Sequence, residues 1–295
     1  MQKYYFQIAP ADYKKRLDTY LQEQFPTLSK IYLRGIVRDE KCEVNGEWKS
    51  RGYLVKPNDF VEVELEQRDN NLIEPEEIRL EIIHEESDFL IVNKAAGMLI
   101  HPTVKVRRGT LLNALAFHLN NGRDYESQMF IRAGLVHRLD KQTSGLVVIA
   151  KNQRSLRFLC SHFQRRLVEK KYFALVEGII KEDSGTIDAN IGRYEETRFW
   201  NIKEDGKRAV TNFWVRRRFE DSTLVELEPV TGRTNQLRIH LAHINHPIFG
   251  DIKYGGREFS RLCLHAYKLN FHHPNGGKRM EFETANPFII SEVEE

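Results

Sequence analysis

Gly134-Leu-Val-His-Arg-Leu-Asp-Lys-Gln-Thr-Ser-Gly-Leu-Val-Val-Ile-Ala150 joins a polar turn to an apolar run, and the second half sets the fold class. Leu146 to Ala150 is a short uninterrupted apolar stretch, which reads as a buried strand. Phe89 to Val92, ended by Lys94 and Gly97, reads the same way, as do Lys171 to Val176 and Thr223 to Leu227. Between the strands at 146 and 171, Leu156, Leu159, Cys160 and Phe163 recur at i, i+3, i+4 and i+7. That spacing predicts a helix packed on a sheet, with Arg154, Arg157 and Arg165 outward and Cys160 in the core. Helices are too few and too irregularly placed for a doubly wound parallel fold. The expected class is α+β, with a mixed, largely antiparallel sheet flanked by helices and loops.

Toward the N-terminus, residues 12 to 66 read as a separate small α+β module. Leu17, Tyr20 and Leu21 fall at helical spacing after Arg16, and Ser29 is placed to cap a second helix carrying Tyr32, Leu33 and Ile36. The turn pair Asn45-Gly46 and the strand pattern Asp59 to Leu65 follow. Glu66 to Pro75 is polar, contains proline and lacks an apolar period, as a linker does. The expected organisation is a module at 1–66, a linker at 67–78 and a larger domain at 79–295. A chain of 295 residues is long enough for two such domains.

No apolar run approaches the length that crosses a bilayer, so no membrane is expected. MQKYYFQIAP lacks the apolar stretch of a secretory signal, and Cys42, Cys160 and Cys263 are too scattered for a disulfide or zinc framework. Cytoplasm is the expected compartment. The net charge of +3 is modest, but its distribution is uneven: from Arg132 to Tyr172 ten lysines and arginines face only Asp140 and Glu169. A charge run is ordinarily a solvated face. A lone acid inside one points instead toward an anionic partner.

Several chemistries fail on spacing. His137-Arg-Leu-Asp140 places its aspartate one residue late for a kinase catalytic loop, and no Gly-rich phosphate loop accompanies it. His240, His243 and His246 have spacing that suits zinc, but no Glu stands among them and Pro247 follows, so solvent-facing or phosphate-facing helix histidines are the simpler reading. Asp140 sits on a loop leading into a rigid strand, where a carboxylate serves as nucleophile, base or structural ion pair; spacing alone leaves these open. In Thr231-Gly-Arg-Thr-Asn-Gln-Leu-Arg-Ile-His240, Gly232 turns the chain and Thr234 or Asn235 is placed to cap a helix buried through Leu237, Leu241 and Ile244. Arg238 emerges near its first turn, able to reach a carboxylate or phosphate.

Three of these segments together carry a resemblance. His-Arg-Leu-Asp-x-x-Thr-Ser-Gly (137–145), Lys-Lys-Tyr-x-Ala-x-Val-x-Gly (170–178) and Gly-Arg-Thr-x-Gln-Leu-Arg-x-His (232–240), in that order, resemble the RluA-type pseudouridine synthases. Ile91 to Gly97 with His101-Pro102, His246 to Asp251 with Tyr254-Gly255, and Leu262 to Ala266 with His273-Pro274 extend the likeness over about residues 80–288. The N-terminal module, with Arg16-Leu-Asp18, Leu28-Ser-Lys30 and Val44-Asn-Gly46, is similar to the S-four-type RNA-binding domain.

The resemblance implies conversion of uridine to pseudouridine in structured RNA, without cofactor or metal. By motif position Asp140 is the expected catalytic aspartate, Tyr172 the residue stacking on the base and aiding proton transfer, and Arg238 the ion-pair partner of Asp140. Arg138 is expected in the place of the flipped-out nucleotide and Leu264 at the back of the pocket, with His137, Arg233 and Gln236 also binding substrate. Such an enzyme must extrude a stacked base, and the basic surface from Arg154 to Lys171 suits the phosphates. Asn235 and Ala95 depart from the histidine and proline usual at those places. The expected partner is ribosomal RNA of the large subunit, with transfer RNA as an alternative and a monomer as the expected state. A non-catalytic RNA-binding or ribosome-assembly factor is the competing class; keeping Asp140, Tyr172 and Arg238 together speaks against it.

Overall fold

The computed structural model describes residues 2–26, 28–65, 73–103, 105–121, 133–197 and 199–288. Arg132 of the basic run and residues 67–72 of the expected linker lie outside the described residues. The chain divides into one unit of residues 1–78 with 101–132 and another of 79–100 with 133–295. Segment 101–132 thus groups with the N-terminal residues, whereas the sequence boundary assigned it to the larger domain. Its helix α3 (Leu111–Leu119) explains the grouping: buried Asn113 donates from Nδ2 to the Glu74 carbonyl (2.8 Å).

In the first unit, β1 (Gln2–Gln7), α1 (Leu17–Gln24), α2 (Lys30–Arg38), β2 (Cys42–Val44), β3 (Glu47–Trp48) and β4 (Phe60–Leu65) form a four-stranded sheet, in the order β1-β4-β2-β3, with two helices. Ser29 caps α2 as expected, its Oγ accepting from the Tyr32 N–H at 3.2 Å. Asn45 and Gly46 both take positive φ (56° and 75°), the backbone that a two-residue hairpin turn between β2 and β3 requires. Strand β1 was not anticipated: Gln2–Gln7 (QKYYFQ) has no alternation of polar and apolar residues and takes its conformation from antiparallel pairing with β4, far along the chain. Leu17, Leu21, Leu33, Val44, Val61 and Val63 close a core belonging to this module.

The second unit is the expected α+β arrangement, a ten-stranded sheet with few helices. Its strands are β5 (Glu81–Glu85), β6 (Phe89–Lys94), β7 (Gly134–Leu135), β8 (Ser144–Ala150), β9 (Glu169–Glu177) and β10 (Ser184–Asp188), then β13 (Val210–Arg218), β14 (Ser222–Pro229), β15 (Leu264–His272) and β16 (Arg279–Glu283). They run β10-β13-β14-β9-β15-β8-β6-β5, with β16 on β15 and β7 on β8; β11 (Ile191–Tyr194) and β12 (Phe199–Ile202) form a separate hairpin. Among the described residues one pair, β8 with β15, is parallel. At that seam Gly145 has φ +120°, and a Cβ there would overlap the Ala266 backbone. Helix α4 (Gln153–Gln164) buries Leu159 against β6 and β8 and leaves Arg154, Arg157 and Arg165 exposed, as its periodicity predicts. Helix α5 (Gln236–His243) lays Leu237 and Leu241 on the face of β9 and β14 formed by Ala174, Val176, Val225 and Leu227.

Candidate active site

Asp140 lies in the turn between β7 and β8, its side chain 35% exposed. Two features hold that turn. The Gly97 N–H donates to the Lys141 carbonyl (2.8 Å). Lys94, only 1% exposed, aims its ammonium at three carbonyls, those of Ala95 (2.8 Å), Met98 (3.0 Å) and Lys141 (3.2 Å). Burial lowers the Lys94 pKa to about 8, with Arg261 adding to the effect and Asp140 opposing it.

Among the described residues the cation at ion-pair distance from Asp140 is Arg238, Nη1 to Oδ2 3.7 Å, and not its sequence neighbours Arg138 and Lys141. Asp140 is nevertheless the weaker partner of that guanidinium. Arg238 donates from Nε and Nη2 to the two oxygens of Asp251 at 2.7 and 2.6 Å, and Asp251 is 1% exposed. The paired geometry orients the fork and leaves Nη1 turned to Asp140. Burial works against the Arg238 charge, but the bond to Asp251 and the charges of Asp251 and Asp140 keep its pKa above the ordinary value. The Tyr254 ring, 4.9 Å from Cζ, supports the guanidinium.

Tyr172 stands on β9 on the same sheet face as Ala174 and Val176, beside Ala266 of β15. Burial, reinforced by the charge of Asp140, pushes its phenol pKa upward, so the hydroxyl stays protonated at neutral pH. Asp140, Tyr172, Arg238 and Leu264 line one cavity of about 280 Å³. Lys170, also on its wall, has a pKa lowered by burial. The pocket therefore sets a carboxylate between a fixed guanidinium and a phenol, with apolar Leu264 at its wall.

The other expected residues divide. Arg138 is exposed at the rim. Arg233 lines the cavity while its Nε donates to the Arg208 carbonyl (3.0 Å). Gln236 lines the cavity as well, but it is 4% exposed, its Oε1 accepts from Thr231 Oγ1 (2.6 Å) and the Arg233 N–H (3.0 Å), and its Nε2 donates to the Val210 carbonyl and Thr211 Oγ1. All of its polar capacity goes to shaping the loop. His137 is similarly engaged, its Nε2 accepting from the Val148 N–H (3.0 Å) and its ring stacked on Phe163 at 4.6 Å. Burial, with Lys170 nearby, lowers its pKa to about 3, so it is neutral.

Two readings of the last helix are corrected. Asn235 holds the N-cap position of α5 but makes no side-chain capping bond; it sits at φ 55° and donates from Nδ2 to Tyr254 Oη (2.9 Å). The histidines are not displayed together. His240 is fully buried between Thr211 Oγ1 and the Ala189 carbonyl, His243 at the end of α5 is exposed, and His246, past the helix, meets the Glu177 carbonyl with Nδ1 at 2.7 Å. Sequence reasoning assigned no role to Lys94, Asp251 or Tyr254, although all three stand in the outer segments of the resemblance.

The RNA pseudouridylate synthase family model matches residues 88–243, more than half of the chain, and the chain belongs to that family. An uncharacterized RNA pseudouridine synthase of Bacillus subtilis is 39% identical over 283 residues, which cover 95% of this chain and 93% of the relative. A Pseudomonas aeruginosa protein named ribosomal large subunit pseudouridine synthase D is 36% identical over 296 residues, covering 92% and 89%. The solved human RNA pseudouridylate synthase domain containing 1 superposes with a TM-score of 0.60 at 31% identity, over 72% of this chain and 85% of that one. The protein is an RNA pseudouridine synthase, an isomerase acting on uridine in RNA.

Proposed function

We propose that this synthase modifies uridine in large-subunit ribosomal RNA, with Asp140 as the attacking carboxylate. The observation carrying the assignment is the convergence of Asp140, Arg238 and Tyr172, from three distant segments, on one cavity. Relatives named ribosomal large subunit pseudouridine synthase D support the choice of RNA. The reaction breaks the bond from the sugar to a ring nitrogen, turns the uracil and joins it through a ring carbon. The carbon loses a proton and the nitrogen gains one, so no atom is lost overall. Asp140 adds to the electrophilic nucleoside and departs again, with the Arg238 guanidinium beside it. Tyr172 stacks on the uracil and offers a protonated oxygen for the proton transfer. Arg138 fills the space of the extruded base, and residues 1–66 act as an S-four-type RNA-binding module, residues 79–295 as the catalytic domain. The enzyme works as a cytoplasmic monomer without metal or cofactor.

Pseudouridine mapping across cellular RNA tests this, comparing cells with the gene, without it, and with Asp140→Asn. At least one large-subunit site is expected to lose its modification in the last two; loss confined to transfer RNA would overturn the substrate assignment. Activity of purified protein is expected to survive exhaustive chelation, and its loss with recovery on metal addition would refute metal independence.

A further inference from the structure

A second cavity, of about 420 Å³, opens between the β11–β12 hairpin and the C-terminal end of α5, and none of the residue roles assigned above uses it. Phe199 and Asn201 of the hairpin, His243 of the helix, and Lys253 and Tyr254 of the following turn line it. No carboxylate stands among its lining residues. The Lys253 ammonium rests 5.2 Å from the Phe199 ring centroid and 5.3 Å from that of Tyr254. Lys253, His243 and Asn201 are exposed, and Phe199 is half-buried.

Tyr254 lines this cavity and backs Arg238 and Asn235 of the first. Its ring supports Arg238 on the reaction side, its hydroxyl accepts from Asn235 of that pocket's wall, and it donates to the Trp200 carbonyl of the hairpin (3.0 Å). An aromatic face, an exposed ammonium, an imidazole and an amide, with no acid among the lining residues, suit a flat polar ring carrying a phosphate. RNA presents such groups where unpaired bases are splayed from the helix and stack on aromatic side chains. Contiguity with the reaction pocket makes the same RNA strand the source.

We propose that this cavity is a subsite for an unpaired nucleotide flanking the target uridine, its base on Phe199 and its phosphate on Lys253 and His243. On binding, the base replaces the Lys253 ammonium on the Phe199 face and the ammonium turns to the phosphate. The proposal rests on RNA being the substrate but on none of the catalytic roles given to Asp140, Tyr172 or Arg238.

Filter binding to protein-free, transcribed large-subunit ribosomal RNA across a salt series tests it. Phe199→Ala is expected to weaken binding about fivefold or more, the loss of one stacked base. Lys253→Ala is expected to lower the slope of log affinity against log salt by about 1, the loss of one phosphate contact, and Lys253→Arg to restore it. In turnover assays both alanine variants raise KM and leave kcat at saturating RNA unchanged, a split that a loosened reaction pocket would not give. Phe199 packs against Ile191 and Tyr254, so circular dichroism must first show that variant folded; exposed Lys253 supplies the test if it is not. Unchanged affinity and salt slope for Lys253→Ala would overturn the subsite. So would uridine monophosphate binding that Lys253→Ala abolishes while RNA affinity stays unchanged, which would mark a site for free nucleotide. Wild-type protein that binds RNA but makes no pseudouridine defeats the catalytic reading alone, and the binding arms still decide this one.

Discussion

Asp251 contributes to the site through the orientation of another group: it grips two nitrogens of Arg238 and leaves the third for Asp140. Asp251→Asn keeps the shape but removes the charge that fixes the fork. It is expected to lower kcat by roughly tenfold or more with little change in KM, since losing one charge-assisted pair costs about 1.5–3 kcal/mol; steady-state kinetics on RNA reads the split. Tyr172→Phe is expected to retain RNA affinity and slow turnover, and equal loss of both in parallel binding and kinetic assays would remove the phenol from the proton transfer. Lys94→Met leaves three inward carbonyls without their donor. A stability loss of about 3 kcal/mol by urea titration, with reduced kcat, is the expected result. At this scale Asp140 and Arg238 of the cavity were legible because their types are unusual for their surroundings: a lone acid in a basic run, an arginine at a helix start. Asp251 and Lys94 were not, because one acts on a side chain across a turn and the other on backbone carbonyls, and neither relation leaves a mark in residue spacing. The hydrogen bonds of Gln236 were hidden for the same reason, its partners being backbone groups and hydroxyls of a loop that only the fold assembles.

At the scale of elements, the seam between β8 and β15 determines where Asp140 stands. Gly145→Ala would drive a methyl into the Ala266 backbone and strain a φ of +120°. It is expected to cost more than about 2 kcal/mol by denaturant titration, through combined overpacking and backbone strain. The same seam carries a pH response. His265, 3% exposed, has Nδ1 2.7 Å from Ser144 Oγ and Nε2 2.9 Å from Thr284 Oγ1. Burial, with Arg261 nearby, lowers its pKa from 6.5 to about 4. Between those values the unfolded chain takes up the proton and the folded one does not, so the full stability present above 6.5 is lost as pH falls toward 4. The share of the loss at pH 5 that belongs to His265 is about 2 kcal/mol, read by urea titration at pH 7 and 5 as the part that His265→Gln removes. Strands β6, β8, β9 and β14 and helices α1, α2 and α4 were legible because each carries its own apolar period. Strand β1 was not, since its pairing with β4 and not its composition makes it a strand.

For the whole molecule, the N-terminal core from Ile8 to Leu65 is closed within itself. Residues 1–66 expressed alone are therefore expected to unfold cooperatively in a thermal melt, though with the small stability of a domain that size; a non-cooperative melt would move the boundary toward the larger unit that includes α3. The division was legible only in part, because 101–132 joins the first unit through contacts such as Asn113 to Glu74 that no composition change announces. The parallel seam also bears on how the chain reaches its final form. Ser144 and its partner His265 are 121 residues apart, and β15 pairs with the Ser144–Gly145 end of β8, so that end leaves the ribosome well before the strand that covers it. At ordinary rates of synthesis that interval is on the order of ten seconds. An uncovered β edge is then available to other nascent chains, which makes this protein's yield, more than its finished stability, sensitive to translation speed and to chaperones.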